Sequence, residues 1–129
     1  MTSRQKPAFP ALDPCKYLDL AREIACRPET QARRTAADRA YYATFLFSRD
    51  QLGMKGYMTP YGDAKDHRYV TQKLKELLGF LGNEEFRMRT HRNNVTYKTA
   101  DVGNPSLDWM LKTAEEIIES VKKLPANSP

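Results

Sequence analysis

The segment Ser106-Leu-Asp-Trp-Met-Leu-Lys-Thr-Ala-Glu-Glu-Ile-Ile-Glu-Ser-Val-Lys-Lys-Leu124-Pro125 decides the class of fold. Met110, Ala114, Ile117, Ile118, Val121 and Leu124 recur at the spacing that lines one side of an α-helix. Ser106 can cap its start and Pro125 cannot continue it. Lys112, Lys122 and Lys123 alternate with Glu115, Glu116 and Glu119, which describes an ordinary solvated face.

The same periodicity extends back through the chain. Asp13-Pro14 suits a helix start, because the carboxylate can accept from orphan amides and proline at the first helical position loses nothing. Tyr17, Leu18, Ala21, Ile24 and Ala25 follow at helical spacing until Pro28 ends the run. A second, long helix is predicted from about Glu29 to Leu52, with Ala37, Tyr41, Phe45 and Leu52 as its apolar stripe and Gly53 as its stop. The glycine- and proline-rich GMKGYMTPYG then reads as a loop. Asp63 can cap a third helix burying Val70, Leu74, Leu77 and Leu78, closed by Gly79 and Gly82. Asn83 can cap a fourth, whose opening Glu84 and Glu85 suit the positive end of the helix dipole. No segment alternates as a strand would, and no repeat is visible.

Amphipathic helices joined mostly by short connectors pack most economically as antiparallel neighbours. The expected fold is therefore an all-α, antiparallel (up-and-down) bundle of four to five helices. A chain of 129 residues supports one core, so a single domain over 1–129 is expected, with flexible tails at 1–12 and 125–129. No apolar run reaches the roughly 20 residues of a membrane span, and the N-terminus lacks a secretory signal, so a cytoplasmic protein is expected. Cys15 and Cys26 lie about 16 Å apart along one predicted helix, too far for a disulfide, and lack zinc-site spacing. Neither a metal nor another cofactor is expected. A formal net charge of +5 permits an anionic partner without demanding one.

The second helix contains Arg34-Thr-Ala-Ala-Asp-Arg39-Ala-Tyr41-Tyr42-Ala43-Thr-Phe45. His67-Arg68-Tyr69-Val70 opens the third, and Arg92-Asn93 with Tyr97 closes the fourth. In this order the pieces resemble the R-x-x-x-x-R-A-Y-Y-A-x-F, H-x-x-V and R-N-x-x-x-Y/H elements of one bacterial and archaeal branch of the HEPN (higher eukaryotes and prokaryotes nucleotide-binding) family. The resemblance spans nearly the whole domain. It implies a helical bundle that forms a homodimer and deals with RNA, nucleotides or a nucleotidyltransferase partner, in a defence or toxin-antitoxin setting. It also implies that nuclease members cut RNA without metal, using an arginine, a polar residue and a histidine from each subunit. Arg92 and Asn93 match the first two, and Tyr97 stands where the histidine is expected.

On a helix Arg89, Arg92, Asn93 and Tyr97 share one face whatever the family. Arginine offers a rigid fork to phosphate oxygens, asparagine can orient a hydroxyl, and tyrosine supplies a ring with a polar tip. Arg92, Asn93 and Tyr97 are the candidate catalytic residues; Arg89, Arg92, Arg39, Arg34 and His67 are the candidate RNA- or nucleotide-binding ones. Ionising a phenol at neutral pH costs about 4 kcal/mol, comparable to the gain that general base catalysis brings, so binding without efficient cutting is expected. His91 adjoins Arg92 but diverges from it by about 100° around the helix.

Each of these residues also has a structural reading. Tyr41, Tyr42 and Phe45 on a central helix are expected in the core or a dimer contact. Arg34 can pair with Asp38 one turn on, Arg39 can satisfy a carboxylate within the bundle, and His67 can cap or pack. A second functional reading is a protein-interaction module that partners a nucleotidyltransferase or antitoxin without binding RNA.

Overall fold

The computed structural model describes residues 13–97 and 104–127. It is an all-α bundle: α1 Pro14–Ala25, α2 Thr30–Met54, α3 Lys65–Leu78, α4 Phe80–Tyr97 and α5 Asn104–Lys122. The segments 1–12 and 128–129, within the expected tails, lie outside the described residues.

Local chemistry accounts for most helix ends. The Asp13 carboxylate accepts from the Cys15 amide at 3.0 Å, with Pro14 in the first turn of α1. The Asp63 carboxylate accepts from the Lys65 amide at 2.8 Å at the start of α3. Gly53, expected to stop α2, lies inside it, with Pro60 packed against its open side at 3.0 Å from where a Cβ would stand. The stop falls at Gly56, whose φ of +86° lets the Gly56 amide reach the Gly53 carbonyl and the Tyr57 amide reach that of Leu52. That pair of bonds closes a helix through a left-handed residue.

The second departure concerns Gly82. Together with Gly79 it was expected to close α3, with Asn83 capping an α4 that begins at Glu84; instead Gly79, at φ +58°, makes the whole turn and α4 begins at Phe80. Gly82 lies inside α4 where it crosses α3, and a Cβ there would meet the Lys75 backbone nitrogen at 2.2 Å. Glu84 and Glu85 are consequently buried side chains beyond the first turn rather than acids at the helix's positive end.

α2 is the central helix and touches the other four. Ala36, Ala37, Ala40, Tyr41, Ala43, Thr44, Phe45, Ser48 and Leu52 are buried around much of its circumference, so it lacks the single stripe of a surface helix. Leu18 and Ala21 of α1, Val70 and Leu74 of α3, Met88 of α4 and the Met110–Val121 stripe of α5 complete the core. The short links within α1–α2 and α3–α4 force reversal. Asp38 early in α2 meets Arg92 late in α4, so these helices run oppositely. Lys55 donates to the carbonyls of Val121, Lys122 and Leu124 at 2.7–3.0 Å, so α2 and α5 finish side by side, with a cation at the negative end of α5. Segment 55–64 folds back beside α3, tied by the Asp66 carboxylate, which accepts from the amides of Tyr61 and Gly62.

Residues 125–127 are not a loose tail: the Pro125 carbonyl accepts from the Tyr57 hydroxyl at 2.6 Å, and the Asn127 amide donates to the Lys55 carbonyl at 2.8 Å. No helix among the described residues is long and apolar enough to cross a membrane. Cys15 and Cys26 are free thiols.

Candidate functional site

Three helices, α2, α3 and α4, supply the cluster around Arg92. From α4, Arg92 donates through Nε to Asp38 Oδ1 on α2 at 2.7 Å and through Nη1 to Asn93 Oδ1 at 3.1 Å. Its guanidinium lies 5.0 Å from the Tyr42 ring centre and 5.5 Å from that of Tyr41, so the cation is held against two aromatic faces. The Arg92 side chain is only 19% exposed. Among the described residues Nη2 makes no hydrogen bond, leaving one edge of the fork uncommitted.

His67, at the start of α3, stacks on Phe45 with ring centres 3.8 Å apart, and its Nδ1 shares a 2.5 Å hydrogen bond with the Tyr41 hydroxyl. Burial, and then the positive charges of Arg89 and Arg92, lower its pKa to about 4. His67 is therefore a neutral, stacked imidazole at physiological pH, in keeping with a packing role. Burial and the negative charge of Glu85 push the Tyr41 phenol far above its ordinary range.

Beneath the cluster lies a residue that sequence reading missed. Glu85 is fully buried; its Oε1 accepts from the Thr71 hydroxyl at 2.5 Å, and its Oε2 has no partner among the described residues. Burial raises its pKa to about 7, against the lowering effects of the Thr71 hydrogen bond, Arg89 and Lys75. That value would suit a general base, but a carboxyl with no solvent access cannot reach a substrate. The available signal was helical phase. Once α4 is extended back to Phe80, Leu81, Glu85, Met88 and Arg92 fall on one inward side.

The other candidates separate. Arg89 makes no hydrogen bond within the Arg92 cluster, although its charge acts on His67 and Tyr41, and it lines a depression of about 280 Å³ between α3 and α4 with Arg68, Thr71, Gln72, Lys75 and Phe86. Arg39 approaches Asp38 at 3.8 Å and covers the Tyr17 ring of α1 at 5.2 Å; its Nε is buried without a partner among the described residues. Arg34 is half-buried in the first turns of α2 and has an interaction of its own. The Tyr97 side chain lies outside what the structure describes, so its place beside Arg92 is not seen. His91 points elsewhere, edge-on to Trp109 at 6.4 Å, as its helical phase predicts. Tyr41 and Phe45 are core residues and Tyr42 is half-buried beneath Arg92. Among the described residues no group of three or more His, Cys, Asp or Glu side chains is poised to hold a metal.

Compared with known proteins, the chain matches no family model, no curated protein and no solved structure.

Proposed function

We propose that the chain is an RNA- or nucleotide-binding domain of the HEPN kind, acting as a homodimer in a defence or toxin-antitoxin setting, with weak or absent metal-independent RNase activity. One observation carries the reading. Residues far apart in sequence, namely the Tyr41-Tyr42 pair, His67 and Arg92-Asn93, meet in a single cluster whose outward edge is cationic. Cations held against aromatic rings beside an uncommitted guanidinium edge suit phosphate and base contacts.

Weak cutting follows from the state of the candidate acid–base groups. With a pKa of about 4 and Nδ1 engaged by Tyr41, His67 is a poor proton donor at neutral pH, and Glu85 is sealed. A dimer could bring two such clusters together, but neither would carry an accessible imidazole titrating near 7.

The test is RNA cleavage in EDTA by the purified protein and by Arg92→Lys, each checked by thermal melting. Arg92→Lys keeps the charge and loses the planar fork. Little or no cleavage, with RNA binding that weakens as salt rises, is expected. Rapid metal-free cleavage would overturn the non-cutting reading, and absence of binding at low salt would overturn RNA binding. The Asp38–Arg92 bond favours a second reading, in which the cluster is architecture and the domain is an interaction module for a nucleotidyltransferase or antitoxin. Its signature is a stable dimer that binds neither RNA nor nucleotide.

A further inference from the structure

We infer that the groove between α3 and α4, lined by Arg68, Lys75, Arg89, Gln72 and Phe86, is a phosphate seat with an adjoining base-stacking wall, and that it takes a nucleotide unit of single-stranded RNA. The inference rests on the RNA reading above for the identity of the polymer; the affinity for phosphate stands on the groove alone.

The first ground is charge. Arg68, Lys75 and Arg89 surround one depression, and among the described residues none of them has an ion-pair partner. On the neighbouring faces of the same helices Lys73 pairs with Glu76 at 3.2 Å and Arg87 with Glu84 at 2.7 Å. Clustered like charges destabilise the fold unless a counter-anion neutralises them. Glu85, buried beside the groove, interacts with Arg89 and Lys75 through space but forms an ion pair with neither, so three cations face the groove against one sealed carboxyl.

The second ground is the supply of donors. Arg92 spends Nε on Asp38 and Nη1 on Asn93, whereas among the described residues the guanidinium groups of Arg68, 5.5 Å from the Tyr69 ring centre, and Arg89 make no hydrogen bond, leaving forks of the geometry that phosphate oxygens accept. The Gln72 amide lies on the same wall and adds a neutral donor.

The third ground is shape. Phe86 is 47% exposed at the rim, with Lys75 Nζ 5.2 Å from its ring centre. An exposed ring beside a cation offers a sequence-tolerant platform for a base. At about 280 Å³ the depression falls just below the roughly 300–1,000 Å³ usual for drug-sized ligands, which suits one phosphate with its sugar or base better than a larger molecule.

The experiment compares the intact protein with Arg68→Gln/Lys75→Gln/Arg89→Gln and with Phe86→Ala. It uses a labelled single-stranded oligoribonucleotide across rising salt, and inorganic tripolyphosphate as a probe in two-dimensional amide NMR. Loss of the one seated phosphate should lower the slope of log affinity against log salt by about 0.7. Phe86→Ala should weaken RNA roughly 5- to 160-fold, as loss of one stacked base does, and leave tripolyphosphate binding unchanged. RNA bound equally well by the triple variant overturns the groove while leaving RNA binding intact. No RNA binding, but tripolyphosphate shifts at Arg68, Lys75 and Arg89, keeps the phosphate seat and overturns the polymer. Shifts at neither overturn both. Melting curves that match the parent exclude unfolding as the cause of any loss.

Discussion

Replacing Gly82 by alanine sets two effects of opposite sign against each other. Inside a helix alanine is preferred to glycine by about 0.8–1.0 kcal/mol, so on an open face Gly82→Ala would stabilise. Here the new Cβ would stand 2.2 Å from the Lys75 nitrogen, 2.5 Å from its Cα and 2.6 Å from the Leu74 carbonyl carbon. These are backbone atoms near the C-terminal end of α3 and cannot rotate away. Relief requires α3 and α4 to part by about an ångström or more, loosening Leu74 and Met88, both fully buried. Overpacking of a core typically costs about 1–3 kcal/mol, and a backbone–backbone clash belongs at or above the top of that range. After the propensity gain, a net loss of about 2 kcal/mol or more is expected, a fall in melting temperature of roughly 6–10 °C for a domain of this size. Thermal melting followed by circular dichroism is the assay. Gly79→Ala is the comparison: nothing lies within 4 Å of its Cβ position, so its loss comes from the backbone alone, whose φ of +58° with ψ of −111° lies outside the regions open to a residue with a Cβ. A Gly82→Ala protein as stable as the parent would refute the close crossing of α3 and α4 and, with it, the shape assigned to the groove.

Two further outcomes follow from the buried charges. Asp38 and Arg92 should couple by about 1 kcal/mol in a double-mutant cycle with alanine, more than an exposed pair because both are half-buried and hydrogen-bonded; additive single losses would contradict the bond. Glu85 has a folded pKa raised to about 7, so between its ordinary carboxylate range and about 7 the folded protein binds the proton more tightly than the unfolded chain does; its stabilising contribution is present at low pH and lost as pH rises through 7. His67, lowered to about 4, acts oppositely below its ordinary pKa, so the comparison belongs between pH 6.5 and 8, where Glu85→Gln should flatten a decline of stability that the parent shows in denaturant titrations. An equally steep decline in Glu85→Gln would remove Glu85 as its source.

The helices were legible because α1, α3 and α5 carry clear helical periodicity and α2 and α4 are bounded by turn and capping residues; α5 displays its buried stripe without ambiguity. What failed was punctuation. Gly53, Gly79 and Gly82 look alike in sequence, yet one packs against a proline, one turns the chain through a left-handed φ, and one lets two helices touch. Only tertiary contact tells them apart, since glycine serves each purpose by lacking a Cβ. Reading Gly82 as a stop shortened α4 by a turn and placed Glu85 in its first turn, where its burial was not legible. Arg68 and Lys75 were missed for a related reason: each is an ordinary exposed cation on α3, and only the crossing at Gly82 brings Arg89 to the same groove.

Arg89 and Arg92 show why a shared helical face does not imply a shared role. They stand three residues apart on α4, and spacing alone groups them together. Near Gly82, α4 is clamped to α3, so the side chain that leaves at Arg89 emerges between those two helices among other cations. One turn later α4 lies over the early part of α2, and the side chain at Arg92 meets Asp38 and two tyrosine rings. The same guanidinium is thus a ligand-facing group at one position and an interhelical tie at the next. Loss of function on substituting Arg92 therefore has two possible origins, separated by a melting curve, whereas a loss at Arg89 without a change in stability reports on the groove. The two substitutions together distinguish a residue that holds the fold from one that the fold holds out to a partner.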